Sequence, residues 1–241
     1  MSGKAIGWTT VTPPPDLSIS AVFTEMKEGA QRNRTVLVRI TLLFAVLTAA
    51  SVALEAIATV GLPLSLGASV LLGAAYSGMI AALICLPGKV GSGGQLWSLV
   101  RPVLSRLIWA SLLVAIGVAA GLVLLIVPGL ILLTIWSVVV PVIVAEKVPV
   151  TESLSRSREL VRGNGLRVFG FLILLGVVSA IFLLLAYLIT SPLGTGILYS
   201  VVFQFLVTSV VNPITSIGPA SLYNQINSKP PGTVPAAEDQ D

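Results

Sequence analysis

The chain alternates long apolar runs with short polar or basic segments, which is typical of a polytopic membrane protein. A helix needs about 20 mostly apolar residues to cross a bilayer. Six runs come close to that length, at residues 36–60, 64–86, 107–127, 129–145, 168–190 and 193–211. The pattern therefore predicts an all-α fold with six transmembrane helices.

The basic residues predict the orientation of these helices. Lys and Arg number 14 in the 241 residues, and none occurs in the turns at 61–63, 128–129 and 191–192. They occur instead before the first run and after the second, fourth and sixth runs. Because short basic loops stay on the cytoplasmic side, we expect three hairpins with nearly absent outer turns. Both termini are then cytoplasmic.

Composition sets the domain boundaries. Hydrophobic residues make up 55% of the chain and charged residues 10%, against about 25% charged in ordinary globular domains. We expect a disordered cytoplasmic N-terminus at 1–16, a membrane domain at 17–227 and a disordered acidic tail at 228–241. The net charge of +4 indicates a basic inner face beside anionic lipid, with no nucleic-acid partner.

Each predicted hairpin follows an amphipathic stretch, at 18–34, 94–106 and 151–167. Such segments are typical of helices that lie on the inner membrane surface. In the third stretch we expect Thr151 or Ser153 to be the N-cap. Each stretch ends with two arginines five residues apart: Arg34 and Arg39, Arg101 and Arg106, Arg162 and Arg167. A triplicated hairpin would produce this pattern, and so would topology alone.

Glu55 is the one acidic residue within a predicted span. An ionisable group in a membrane helix is a candidate for proton or cation handling. The alternative is that its carboxylate reaches the outer interface or bonds to a neighbouring helix. At the inner end, Arg39 is expected to extend its guanidinium to the membrane surface. The single cysteine, Cys85, is expected to pack as a small hydrophobic residue.

Small residues and prolines recur in the spans. Gly117 and Gly121 form a GxxxG pair, which lets helices approach closely either within one chain or in a dimer. Pro141, inside the fourth span, and Pro213 and Pro219, after the sixth, are expected to kink their helices.

Charged residues cluster after the fourth span. Glu146 and Glu152 bracket a loop that leads into four arginines, Arg156, Arg158, Arg162 and Arg167. Arginine offers forked donors that suit phosphate, so the cluster is a candidate binding site for a lipid headgroup. A structural salt-bridge cluster and a docking site for a protein partner are the alternatives.

Residues 124–171 contain a recognisable series of short motifs. They read LLIVPG at 124–129, WS at 136–137, VPVIVAE at 140–146, ESL at 152–154, ELVRGN at 159–164 and RVFG at 167–170. The series resembles the membrane domain that precedes some glycerophosphodiester phosphodiesterases and that forms related bacterial inner-membrane proteins. The resemblance extends over residues 17–227 and implies a six-helix, multi-pass protein of the bacterial inner membrane. In the phosphodiesterases, catalysis belongs to a separate soluble barrel, which this chain lacks.

The residue inventory restricts the chemistry. The chain has no histidine, which excludes histidine acid–base catalysis and histidine metal ligation. We expect no enzyme activity and no cofactor, and an intramembrane enzyme is the least supported hypothesis. The leading hypothesis is a non-enzymatic membrane module that assists, anchors or regulates envelope or lipid-related proteins. The alternative is a carrier or flippase for a lipid or small amphiphile. Expected partners are membrane lipids, mainly anionic, and an envelope protein.

Overall fold

A computed structural model describes residues 18–57, 62–86 and 92–227, and the side chains of 18–53, 67–86 and 92–227. Over these residues the chain is helical, with no strand. Its α-helices are α1 Ile19–Arg32, α2 Arg34–Ile57, α3 Leu62–Cys85, α4 Gly93–Val100, α5 Leu104–Leu124, α6 Ile126–Ile135, α7 Val139–Glu146, α8 Val150–Val161, α9 Gly165–Thr190 and α10 Ile197–Asn227. The ends predicted to be disordered, 1–16 and 228–241, lie outside the described residues.

The prediction of an all-α chain with six spans is confirmed. Among the described residues, six segments are long and apolar enough to cross a membrane, as in a multi-pass membrane protein. They are Arg34–Ala53, Gly67–Cys85, Gly93–Leu124, Ile126–Glu146, Gly165–Leu193 and Ile197–Asn227. Large apolar side chains such as Val46 and Leu184 are exposed on their outer faces, where lipid can solvate them.

Helix α10 is the centre of the bundle, because it contacts α1, α2, α3 and α9. It continues to Asn227, so the predicted end of the sixth span at residue 211 was wrong. Pro213 and Pro219 lie inside the helix. Its final third is buried against neighbouring helices, with Leu222 fully buried, and this packing offsets the hydrogen bonds that the prolines remove.

The fourth span is two helices rather than one kinked helix. Helix α6 ends at Ile135 and α7 begins at Val139. Pro141 is the third residue of α7, a first-turn position that tolerates proline because no intrahelical N–H bond is lost there. In a continuous helix its ring would clash with the carbonyl of Ser137. The break lies at residues 136–138, before Pro141, and the chain does not bend at the proline itself.

The GxxxG pair of α5 contacts α6 and the turn after it within the same chain. A Cβ atom at Gly121 would lie 2.8 Å from the Cα of Gly129, and one at Gly117 would lie 2.5 Å from the Trp136 ring. A Cβ at Gly129 would lie 2.5 Å from the backbone nitrogen of Leu122. Helices α5 and α6 thus touch backbone to backbone around the tight link at Leu125.

All three amphipathic stretches contain a helix, α1, α4 and α8, but two are shorter than predicted. Helix α4 ends at Val100, and a 3₁₀ turn at Arg101–Val103 leads into α5. Helix α8 ends at Val161, and its N-cap is Pro149. The expected caps at Thr151 and Ser153 were therefore wrong, because the helix begins earlier, at Val150.

Candidate functional site

Helix α8 is held in the bundle by one face of small residues. Ser153, Ser157 and Val161 follow each other at four-residue spacing and are buried. The Ser157 hydroxyl donates a 2.6 Å hydrogen bond to the carbonyl of Ile135. That carbonyl ends α6, and the Val139 N–H that would bond to it in a continuous helix bonds to Trp136 instead. The Ser157 side chain therefore supplies a hydrogen bond to a carbonyl that lost its helical partner at the break.

Arg156 is held by carboxylates on both sides. Its Nε lies 3.4 Å from Glu146 Oε2, and its Nη1 lies 3.4 Å from Glu159 Oε2. Partial burial lowers the pKa of the Arg156 guanidinium. The charge of Glu146 and the hydrogen bonds to Glu159 and Glu146 raise it by more, so the pKa lies above its ordinary value. The guanidinium therefore stays charged and links the end of α7 to α8.

The same glutamate connects α7 to α10. Tyr223, which is 3% exposed, donates a hydrogen bond of 3.0 Å from its hydroxyl to Glu146 Oε1. The neighbouring Asn224 donates from Nδ2 to the carbonyl of Ile84 at the end of α3, at 3.1 Å. Glu146 thus joins the end of α7 to both α8 and α10, an arrangement that the structural salt-bridge alternative would produce.

Arg158 and Arg162 lie elsewhere, at the mouth of a groove between α6, α8 and the start of α9. The groove has a volume of about 920 Å³, within the range of about 300–1,000 Å³ that is usual for small-molecule sites. Both arginines are exposed. Glu159 lines the same mouth, and so do Gly163 and Gly165 in the link to α9.

Apart from Thr134 and Ser155, the rest of the groove is apolar. Leu130 and Ile131 of α6 face Leu166 and Phe169 of α9 across it. Val127, near the other end of α6, also lines it. The cavity therefore has a basic end and a hydrocarbon end, and it matches an amphiphile better than a small polar solute.

The remaining candidates lie apart from the groove. Arg167, in the first turn of α9, and Glu152, in the first turn of α8, are both exposed and do not line it. Glu55 belongs to α2, but its side chain lies outside the described residues. Arg106 donates from Nη1 to the carbonyl of Lys147, at 2.6 Å, just beyond the end of α7. Arg39 is exposed on α2.

Two features of the site were not predicted from the sequence: the apolar wall of the groove and the hydrogen bond of Ser157 to the Ile135 carbonyl at the helix break. Helix α6 is apolar on every side, so its sequence gives no periodic signal for the face that lines a cavity. The four-residue spacing of Ser153, Ser157 and Val161 in a polar helix was the signal that could have located the buried face of α8.

No group of three or more Cys, Asp or Glu residues that could hold a metal ion occurs in the part of the chain that the structure describes. No protein-family model, no curated protein and no solved structure matches the chain.

Proposed function

We propose that this protein is a non-enzymatic membrane module that binds a phospholipid in the groove between α6, α8 and α9. Lipid binding would let it assist, anchor or regulate other envelope proteins. The observation that carries the proposal is the joining of Arg158 and Arg162 to an apolar wall in one cavity. No catalytic role is part of the proposal.

A phospholipid suits both ends of this cavity. Guanidinium groups bind phosphate through paired, charge-assisted hydrogen bonds. An acyl chain can lie along Leu130, Ile131 and Phe169, where a soluble phosphate compound would leave apolar surface uncovered. Arg156 is left out of this proposal because it does not line the groove and two of its nitrogens face Glu146 and Glu159.

The topology proposed for this function is three hairpins with both termini in the cytoplasm of a bacterial cell, in the inner membrane. The distribution of Lys and Arg and the family resemblance of residues 124–171 support it. Arg158 and Arg162 would then meet headgroups of the inner leaflet, where anionic lipid is attracted to basic residues.

The experiment compares the lipid that copurifies with three proteins. Replacing Arg158 and Arg162 by Gln removes two charges, worth roughly 2 kcal/mol at about 1 kcal/mol each, or about 30-fold in the binding constant. The matched control replaces Arg34 and Arg39, two exposed arginines that do not line the groove. We expect the parent and the control to retain phospholipid through a detergent wash, and the groove variant to lose it. Equal retention by all three would refute the proposal.

A carrier or flippase is the second candidate, and one observation favours it. The lining follows α6 from Ile135 to Val127, almost the whole length of that helix. Such a path could guide a headgroup or a chain between leaflets. Purified protein in liposomes would move a fluorescent phospholipid from one leaflet to the other under this hypothesis. Lipid binding without movement between the leaflets would support the non-enzymatic membrane module instead.

A further inference from the structure

We propose that the groove selects a phospholipid that carries one net negative charge, with a phosphodiester and an uncharged headgroup such as glycerol. This inference rests on the proposed function. The charged side chains that line the groove are Arg158, Glu159 and Arg162. Two positive charges and one negative charge leave a net charge of +1, which a single phosphodiester balances.

The three charges are close neighbours on α8. Arg158 and Arg162 are four residues apart, and Glu159 and Arg162 are three apart, spacings that bring side chains together on a helix surface. An anion that contacts both arginines therefore comes near the Glu159 carboxylate. The Glu159 carboxylate also lies 3.4 Å from Nη1 of Arg156, which does not line the groove.

Glu159 gives the site its selectivity. A doubly charged phosphomonoester, such as the headgroup of phosphatidate, would bring its second negative charge towards Glu159. A choline headgroup would add a cation beside two arginines, and it has no N–H or O–H to donate to the carboxylate. A glycerol headgroup avoids both conflicts, since its hydroxyls are neutral and can donate hydrogen bonds to Glu159.

The beginning of α9 lies at the same place. Gly165 and Leu166, the first two residues of this helix, line the groove. The N–H groups of Gly165 and Leu166 precede the first bonds of this helix, which run from Arg167 and Val168 to the Asn164 carbonyl. The helix dipole favours an anion there. This contribution adds to the two arginines, and it favours a phosphate at the junction of α8 and α9.

The test titrates the purified full chain with phosphatidylglycerol, phosphatidate and phosphatidylcholine of identical acyl chains and counts bound lipid by native mass spectrometry. At about pH 8, phosphatidate is close to doubly charged, since the second pKa of a phosphomonoester is about 6. We expect the parent to prefer phosphatidylglycerol over each of the others by roughly fivefold, the effect of one charge near a membrane surface.

Three variants separate the causes. Glu159→Gln raises the lining charge to +2 and should shift the preference to phosphatidate. Glu152→Gln removes a charge from the same helix outside the groove and should leave the preference unchanged. Arg156→Gln breaks the ion pair with Glu159 from the other side, so it should not reproduce a shift that comes from lining charge.

The outcomes distinguish the inference from the function beneath it. If replacing Arg158 and Arg162 by Gln leaves the binding of all three lipids unchanged, the proposed function fails. If that variant loses lipid but the parent binds the three lipids equally, only the charge selection fails. The selection also fails if Glu159→Gln and Glu152→Gln give the same preference.

Discussion

Alanine at Gly121 or Gly129 should separate α5 from α6. An added Cβ would lie 2.8 Å from the Cα of Gly129 in the first case and 2.5 Å from the nitrogen of Leu122 in the second. Both neighbours are backbone atoms, so no side-chain rotation relieves the contact. The helices would have to part by about 1 Å to restore the separation of about 3.5–4.0 Å at which atoms pack.

Two terms determine the size of the effect. Overpacking of this kind costs about 1–3 kcal/mol. Replacing a helical Gly by Ala contributes up to about 1 kcal/mol in the opposite direction. Gly176, within α9, has no atom within 4 Å of an added Cβ. Gly176→Ala therefore gains the helix propensity of alanine without any overpacking. The difference in unfolding free energy between Gly121→Ala and Gly176→Ala should therefore be roughly 1–3 kcal/mol.

The assay is unfolding of each purified variant in the same detergent, with the oligomeric state followed by size-exclusion chromatography coupled to light scattering. Gly121→Ala and Gly129→Ala should unfold at lower temperature than the parent or close to it, and clearly below Gly176→Ala. Three variants of equal stability would refute the close approach of α5 and α6. Loss of a dimer with unchanged stability would assign the GxxxG pair to contacts between chains.

Three further predictions concern the hydrogen bond of Tyr223 to Glu146, the topology and Glu55. Tyr223→Phe removes a buried donor to the Glu146 carboxylate and should cost about 1–2 kcal/mol of stability in detergent. Tyr187→Phe changes a side chain that is 52% exposed and should cost almost nothing. Equal effects of the two substitutions would contradict a stabilising bond between Tyr223 and Glu146. In a cysteine-free background, a cysteine at position 155 should react with an impermeant thiol reagent only from the cytoplasm. A cysteine at position 192, which is exposed in a predicted outer turn, should be unreactive from that side. Labelling of position 155 from outside would overturn the topology. Glu55→Gln should insert and complement a deletion normally, and a stable, inserted variant that fails to complement would favour proton or cation handling.

The spans could be predicted from sequence because each needs only length and apolarity, and neither depends on the rest of the fold. The end of α10 could not. Residues beyond 211 include Asn212, Pro213 and Pro219, which weaken both hydropathy and helix propensity. Tertiary packing around Gly218 and Leu222 overrides those local preferences: a Cβ at Gly218 would lie 2.8 Å from Leu175.

The groove could be predicted only at its polar end. Arginines are rare enough in this chain to be noticed, and Arg158 and Arg162 were expected to meet a phosphate-bearing headgroup. Their separation from Arg156 could not be predicted, because it depends on the rotation of α8 about its axis. That rotation is set by Ser153 and Ser157, whose burial at 0% exposure places the arginines on other sides of the helix.

The position of α8 follows from the helix break in the fourth span. Helix α6 ends at Ile135 and α7 begins at Val139, and the break between them leaves the Ile135 carbonyl without its usual helical partner. Ser157 supplies the missing donor. Because Arg158 follows Ser157 directly and Arg162 lies one turn further, both arginines lie beside α6 at the mouth of the groove. The helix break therefore affects the groove by exposing the carbonyl that α8 binds.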